Sequence, residues 1–169
     1  MSQEIEVKPL ITQMAQDLKA LLQHRGIEKA YMIGIHTGGV WVAEQLHQAL
    51  AIEAPLGTLN IAFYRDDFTR IGVHPQVKPS VLPFSVEDAP IILVDDVLYT
   101  GRTIRAALNE IFDYGRPASV ILACLVDCSG RELPVQADVL GKVVELSEHE
   151  QVKLTGPTPL RLLVTDAGT

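Results

Sequence analysis

Basic tracts are missing from this chain of 169 residues: no two of its 14 Lys and Arg residues are adjacent, and 21 Asp and Glu bring the formal charge to −7. A contiguous cationic strip for a nucleic-acid backbone is thereby excluded, leaving only a patch gathered from distant residues by folding or self-association. Cysteine is nearly absent as well. Cys124 and Cys128 have no nearby His or third Cys, so neither a zinc site nor a disulfide is expected. Cys124 sits inside the apolar run Val120–Val126 and should be buried, whereas Cys128, ahead of Ser129 and Gly130, should lie nearer the surface. The histidines at 24, 36, 47, 74 and 149 show no paired ligand spacing. No apolar run approaches the ~20 residues that cross a bilayer. The polar, acidic start differs from a signal peptide. These absences predict a cytoplasmic protein with reduced thiols and no membrane partner.

What is present is apolar and ordered. With 47% hydrophobic residues, the chain can bury one sizeable core, and a single domain over 1–169 is expected. Leu10, Ile11, Met14, Leu18, Leu21 and Leu22 fall at helical spacing, with Gly26 placed to end the helix. Ala30–Ile35 reads as a strand, His36-Thr37-Gly38-Gly39 as a turn, and Val40, Ala43, Leu46 and Leu50 as one side of a second helix. Pro55–Tyr64 reads as another strand. Residues 65–90 then carry four prolines and little periodicity, which predicts a flexible loop. Ile91–Val94 is a buried strand, and Thr103–Tyr114 a helix with Ile104, Ala107, Leu108 and Ile111 inward. Ser119–Val126 is a further buried strand, after a turn punctuated by Gly115 and Pro117. Shorter strands are expected at Val139–Val144, Gln151–Leu154 and Leu160–Val164. Strands alternating with helices imply right-handed crossovers and a mainly parallel sheet, hence the α/β class.

The chemistry is concentrated between Ile91 and Thr103. An apolar strand delivers Asp95 and Asp96 at its C-terminal end, where ligands of open α/β sheets collect, and Thr100-Gly101-Arg102-Thr103 then opens a helix. Amides at that helix start, with the Thr100 and Thr103 hydroxyls, can surround a phosphate, and Gly101 permits close backbone approach. The two carboxylates suit the opposite partner: ribose hydroxyls and a Mg²⁺ held against them. A Walker A loop is absent. Thr37, Gly38 and Gly39 form a second turn able to offer amides to an anion.

These residues resemble the signature of the type I phosphoribosyltransferases. Further stretches narrow the resemblance to those that double as pyrimidine operon regulators and uracil phosphoribosyltransferases: Phe63–Asp67, Gly115-Arg116-Pro117, Leu125-Val126-Asp127 and Arg131–Pro134. The resemblance implies a type I phosphoribosyltransferase fold, with a central parallel sheet flanked by helices, a flexible loop and a small hood. It implies transfer of the ribosyl group of 5-phosphoribosyl-1-diphosphate to uracil, giving UMP and diphosphate. Asp95 and Asp96 would act in catalysis and at Mg²⁺, and Arg65 on the leaving diphosphate. Thr37, Gly38 and Gly39 would bind diphosphate, and Val97, Leu98, Tyr99, Thr100, Gly101, Arg102 and Thr103 the sugar phosphate. Val152 would help form the base pocket. A homo-oligomer, dimer or tetramer, is implied. Gly38 stands where relatives often carry Arg, and Cys128 follows Asp127 where they have Arg, which removes one diphosphate contact and weakens the case for RNA as a partner. The competing expectations are a non-catalytic or weakly catalytic nucleotide sensor that binds mRNA, and a purine or orotate phosphoribosyltransferase.

Overall fold

The computed structural model describes residues 2–61 and 79–167. Five parallel strands form the main sheet in the order β3-β2-β4-β5-β6. These are β2 (Tyr31–Ile35), β3 (Gly57–Leu59), β4 (Pro90–Leu98), β5 (Ser119–Cys128) and β6 (Val139–Val144). The helices α1 (Val7–His24), α2 (Gly38–Ala49) and α3 (Arg102–Tyr114) cover the faces.

The central strand explains the layering. Along β4, side chains alternate between two cores: Ile92 and Val94 join the cluster of Met14 and Leu18 from α1 and Val42 and Leu46 from α2, while Ile91 and Leu93 join Ile104, Ala107 and Ile111 of α3. A strand buried on both faces reads as a continuous apolar run, which is why its sequence lacks alternation. Each fully buried Leu or Met contributes on the order of 2 kcal/mol.

A second, antiparallel sheet has the order β1-β8-β7, from β1 (Gln3–Ile5), β7 (Glu150–Thr155) and β8 (Arg161–Asp166). Leu154, Leu162 and Val164 fasten it to the α1 side of the core. β1 has no counterpart in the sequence reading. Its three residues carry too little pattern, and its strand character comes from pairing with β8, with Glu4 receiving both guanidinium nitrogens of Arg161 at 2.9 and 3.0 Å.

Other boundaries also moved. β4 runs on to Leu98, and the strand expected over Pro55–Tyr64 is limited to Gly57–Leu59 among the described residues. Of the 65–90 loop, the part from residue 79 on is described: Thr58 and Val81 exchange two backbone hydrogen bonds of 2.8 Å, and Val86 and Ala89 are buried. Cys128 is also a correction, being 1% exposed, because β5 extends two residues beyond Val126 and carries it inward. No helix among the described residues is long and apolar enough to cross a membrane.

On α3, Leu108 is only partly buried, and the inward stripe includes Glu110 at 8% exposure. Burial raises its pKa above the usual glutamate range, Asp113 adds to this, and a hydrogen bond from Ser80 partly offsets it. The folded state therefore holds this proton more tightly than the unfolded chain does. The stability it contributes is complete below the unfolded value and is lost as pH rises through the folded one. Glu110→Gln should then raise the urea midpoint at about pH 8 and leave it nearly unchanged at about pH 4. An equal shift at both values would show that the carboxyl does not titrate differently on folding.

Candidate active site

Asp95 and Asp96 lie within β4, where Asp95 pairs in register with Cys124 and Leu98 with Asp127. Asp95 is 5% exposed and its Oδ1 accepts the Asp96 amide at 2.8 Å; Oδ1 of Asp96 in turn accepts the Val97 amide at 2.8 Å. Each carboxylate is thereby oriented by the backbone next to it. The side chains sit at the C-terminal edge of the sheet, between β2 and β5.

The turn after β2 is built onto the same spot. His36 donates its amide to the Leu59 carbonyl at 2.8 Å, the His36–Thr37 peptide is cis, and α2 begins at Gly38 with the Val40 and Trp41 amides directed to the Thr37 carbonyl. Gly38 and Gly39 are buried against β4. A Cβ on Gly39 would stand 2.8 Å from the Val94 carbonyl oxygen and 3.0 Å from Asp95 Cα, and one on Gly38 would fall on Asp96 Oδ2 and 2.7 Å from its Cγ. The space that a side chain at 38 would take is filled by the Asp96 carboxylate. The start of α2, with its positive dipole, thus packs directly on the acidic pair.

The second turn, after β4, is held by a different set of bonds. Gly101 has φ 95°, a left-handed conformation that suits glycine. Thr100 Oγ1 accepts the Arg102 amide at 3.1 Å, while the Thr100 carbonyl accepts the amides of Glu132 and Leu133 at 2.9 and 3.1 Å. Arg102, expected on the phosphate, has its Nε on Glu132 Oε1 at 2.7 Å.

Arg131, which sequence reasoning did not place in the site, organises this side. Its Nη2 reaches both carboxylate oxygens of Asp127 at 2.7 Å, Nη1 the carbonyls of Tyr99 (2.7 Å) and Cys128 (3.2 Å), and Nε the Val135 carbonyl at 2.8 Å. With Nη2 on the carboxylate and the other two nitrogens on backbone carbonyls, the planar guanidinium is fixed in orientation as well as position. The only signal in the sequence was the Asp127 and Arg131 spacing. Its bonds make Arg131 a brace of the loop rather than one of the dispersed cations an RNA contact would draw on.

Beyond the acidic pair, a cavity of about 430 Å³ opens between Val97 and Tyr99 on one side and Gln151 and Val152 of β7 on the other, with Cys128 and Glu148 in its wall. Val97 and Tyr99, expected on the sugar phosphate, and Val152, expected at the base, line this same cavity. Burial pushes the Cys128 thiol up, the Asp127 carboxylate adds to this, and Arg131 partly offsets it, so the wall presents a neutral thiol. Among the described residues, no group of three or more His, Cys, Asp or Glu could enclose a metal ion. Arg65 lies outside the described residues.

The phosphoribosyl transferase domain family matches residues 4–155. The Bifunctional protein PyrR of Nitrosococcus oceani is 62% identical over 162 residues, covering 95% of this chain and 92% of its own. That of Pseudomonas paraeruginosa is 61% identical over 153 residues, 90% of each chain. The chain belongs to the PyrR family of phosphoribosyl transferases. Solved structures agree on the family fold: a hypoxanthine-guanine-xanthine phosphoribosyltransferase superposes with a TM-score of 0.59 at 21% identity over 80% of this chain and 74% of that one. The purine phosphoribosyltransferase of Pyrococcus horikoshii gives 0.57 at 23% identity, covering 84% of this chain and 83% of that one. Within this family frame, the central parallel sheet is the type I architecture, and β1-β8-β7 stands in the place expected of a hood.

The Gly38–Asp96 contact is testable as a coupling. Gly38→Ala should force the Asp96 carboxylate off the Val97 amide and cost about 1 kcal/mol, the worth of one hydrogen bond. In an Asp96→Ala background most of that cost should vanish, giving a coupling of about 1 kcal/mol in a double-mutant cycle of denaturation. Additive effects would mean that the two positions do not touch.

Proposed function

We propose that this chain is a uracil phosphoribosyltransferase, converting uracil and 5-phosphoribosyl-1-diphosphate to UMP and diphosphate, and that it also serves as a pyrimidine operon regulator. The observation that carries the enzymatic reading is the placement of two amide-rich turns on either side of Asp95–Asp96, with a small cavity at the third side. One substrate with a phosphate at each end of a ribose, and a nucleobase beside it, matches that arrangement.

In this reading the amides of Gly38 and Gly39 meet diphosphate, and the turn Thr100–Thr103 meets the 5-phosphate. Asp95 and Asp96 face the ribose hydroxyls. The base nitrogen attacks the anomeric carbon as the C–O bond to diphosphate breaks; the positive charge that develops on the sugar lies beside the two carboxylates. The base proton leaves to solvent. Mg²⁺, when bound, neutralises the diphosphate. Asp95 and Asp96 would hold it together with substrate oxygens and water, as suits an ion that keeps much of its hydration and needs no closed protein cage. The cavity wall, with Val97, Tyr99, Cys128 and Val152 beside the acidic Glu148 and Glu150, favours an uncharged base over the carboxylate of orotate.

Diphosphate release measured with uracil, orotate, hypoxanthine and guanine tests the substrate, and only uracil should respond. A purine-only response would transfer the assignment to the purine enzymes. Asp95→Asn and Asp96→Asn should each lower turnover and Mg²⁺-dependent substrate affinity by at least ~10-fold. Unchanged affinity in both variants by calorimetry would remove the pair from the site.

The regulatory arm, and a dimer or tetramer as its working state, belong to the same proposal. Two cations that a folded RNA patch could use are engaged, Arg131 by Asp127 and Arg161 by Glu4. Of two further cations such a patch could draw on, Arg116 precedes β5 and Lys142 pairs with Val126 near the far end of that strand. Contact with a leader RNA through so few cations should be weak, with a salt slope of about −2 or shallower. Nanomolar filter binding at near-physiological salt, abolished by scrambling the loop, would reverse this and make RNA recognition the leading activity.

A further inference from the structure

Among the described residues, the one buried side-chain atom without a hydrogen-bond partner is Oε2 of Glu110. Its other oxygen is not idle. Ser80 donates its hydroxyl to Glu110 Oε1 at 2.6 Å and accepts the Asn60 amide at 2.9 Å. One residue earlier, the Leu59 carbonyl accepts the amide of His36, where the diphosphate turn begins. Thr58 and Val81 close the arrangement with their paired backbone bonds.

We propose that Ser80 and Glu110 are positioning residues, a hydrogen-bonded tie that sets the diphosphate turn His36–Gly39 at a fixed separation from helix α3, whose first residues form the phosphate turn. The tie runs from α3 through Glu110 and Ser80 to Asn60, along one residue of backbone to Leu59, and across to His36. A polar side chain is costly in this position, since Glu110 is enclosed by the cluster that holds Ile104, Ala107 and Ile111 and leaves one oxygen unsatisfied. An apolar residue would continue the stripe at lower cost. What Glu110 supplies that an apolar residue cannot is the acceptor for Ser80. The two turns must bind opposite ends of one ligand, so an error in their spacing reduces binding at both.

The kinetic part of the test rests on the phosphoribosyltransferase reading; the exchange part does not. Backbone amide exchange resolved by NMR should show Ser80→Ala losing protection at Asn60 and, across the tie, at His36. At a temperature well below melting, the same variant should raise KM for 5-phosphoribosyl-1-diphosphate about 10-fold, with kcat and the KM for uracil within about twofold of the parent. Glu110→Gln keeps an acceptor for Ser80 and should preserve both the protection and the KM, whereas Glu110→Leu should behave as Ser80→Ala. Faster exchange confined to Asn60, with His36 and KM unchanged, would reduce the pair to local packing and overturn the proposal. If the parent protein turned over no substrate, the protection of His36 alone would decide.

Discussion

The contact of Gly39 with the backbone of β4, and of Gly38 with the Asp96 carboxylate, governs the geometry of the whole site. α2 starts directly on Asp95 and Asp96 because neither glycine has a Cβ to hold it off, and a helix that starts there directs its amides and dipole at the edge where the carboxylates stand. Placing donors for an anion and acceptors for a sugar within contact distance would ordinarily lead the two sets to neutralise each other. Here each carboxylate is turned by an oxygen onto the following amide of its own strand, so the orientation is set locally by β4. The parallel sheet then needs only to bring β2 next to β4, which the pairing of Gly34 with Val94 accomplishes.

The second turn is stabilised from outside rather than by its own strand. Thr100 and Tyr99 offer their carbonyls to the segment around Arg131, and Arg131 joins that segment to Asp127 at the end of β5. Neighbouring strand ends are thereby cross-braced through a guanidinium that makes five hydrogen bonds. Removing it would leave the Asp127 carboxylate part-buried without its partner, a change whose cost comes chiefly from the charge left behind. Tyr99 and Cys128, on either side of this brace, also border the cavity, so the shape proposed for the base depends on the same residue that steadies the phosphate turn.

How far the sequence disclosed this depended on the range of the interactions. Helices α1, α2 and α3 and the strands β2, β4 and β5 were legible because burial on a face imposes a period, and Asp95-Asp96 followed by Thr100–Thr103 was legible because a local turn fixes those residue types. Cys128 was misjudged, and the burial of Glu110 left unread, for the opposite reason. Cys128 is drawn inside by the pairing of β5 with Val143 and Val144, and Glu110 by a serine thirty residues away, neither of which leaves a mark within a window of neighbours. β1 is the extreme case, since its only partner is β8, close to the other end of the chain. Arg131 is intermediate. Its spacing from Asp127 was visible, but the carbonyls of Tyr99 and Val135 that complete its role come from the fold.

An acidic chain that handles a polyanion presents an electrostatic problem, and the structure shows how it is confined. At physiological ionic strength charges farther apart than about 8 Å are largely screened, so the net charge of −7 acts weakly on a ligand already within the site. What the ligand meets at short range are amides and hydroxyls. Among the described residues, two cations beside the phosphate turn are already committed, Arg102 to Glu132 and Arg131 to Asp127. In the proposed reaction such a surface would hold phosphate by directed hydrogen bonds and leave much of the anion's charge for an accompanying cation to balance. Mg²⁺ in the proposed reaction would then complete the charge of the substrate more than that of the protein, held by Asp95 and Asp96 with substrate oxygens and water. The absence of an Arg at position 38 has the same sense. A fixed guanidinium there would compete with Asp96 for the space and with the metal for the diphosphate, and glycine leaves both to the substrate complex.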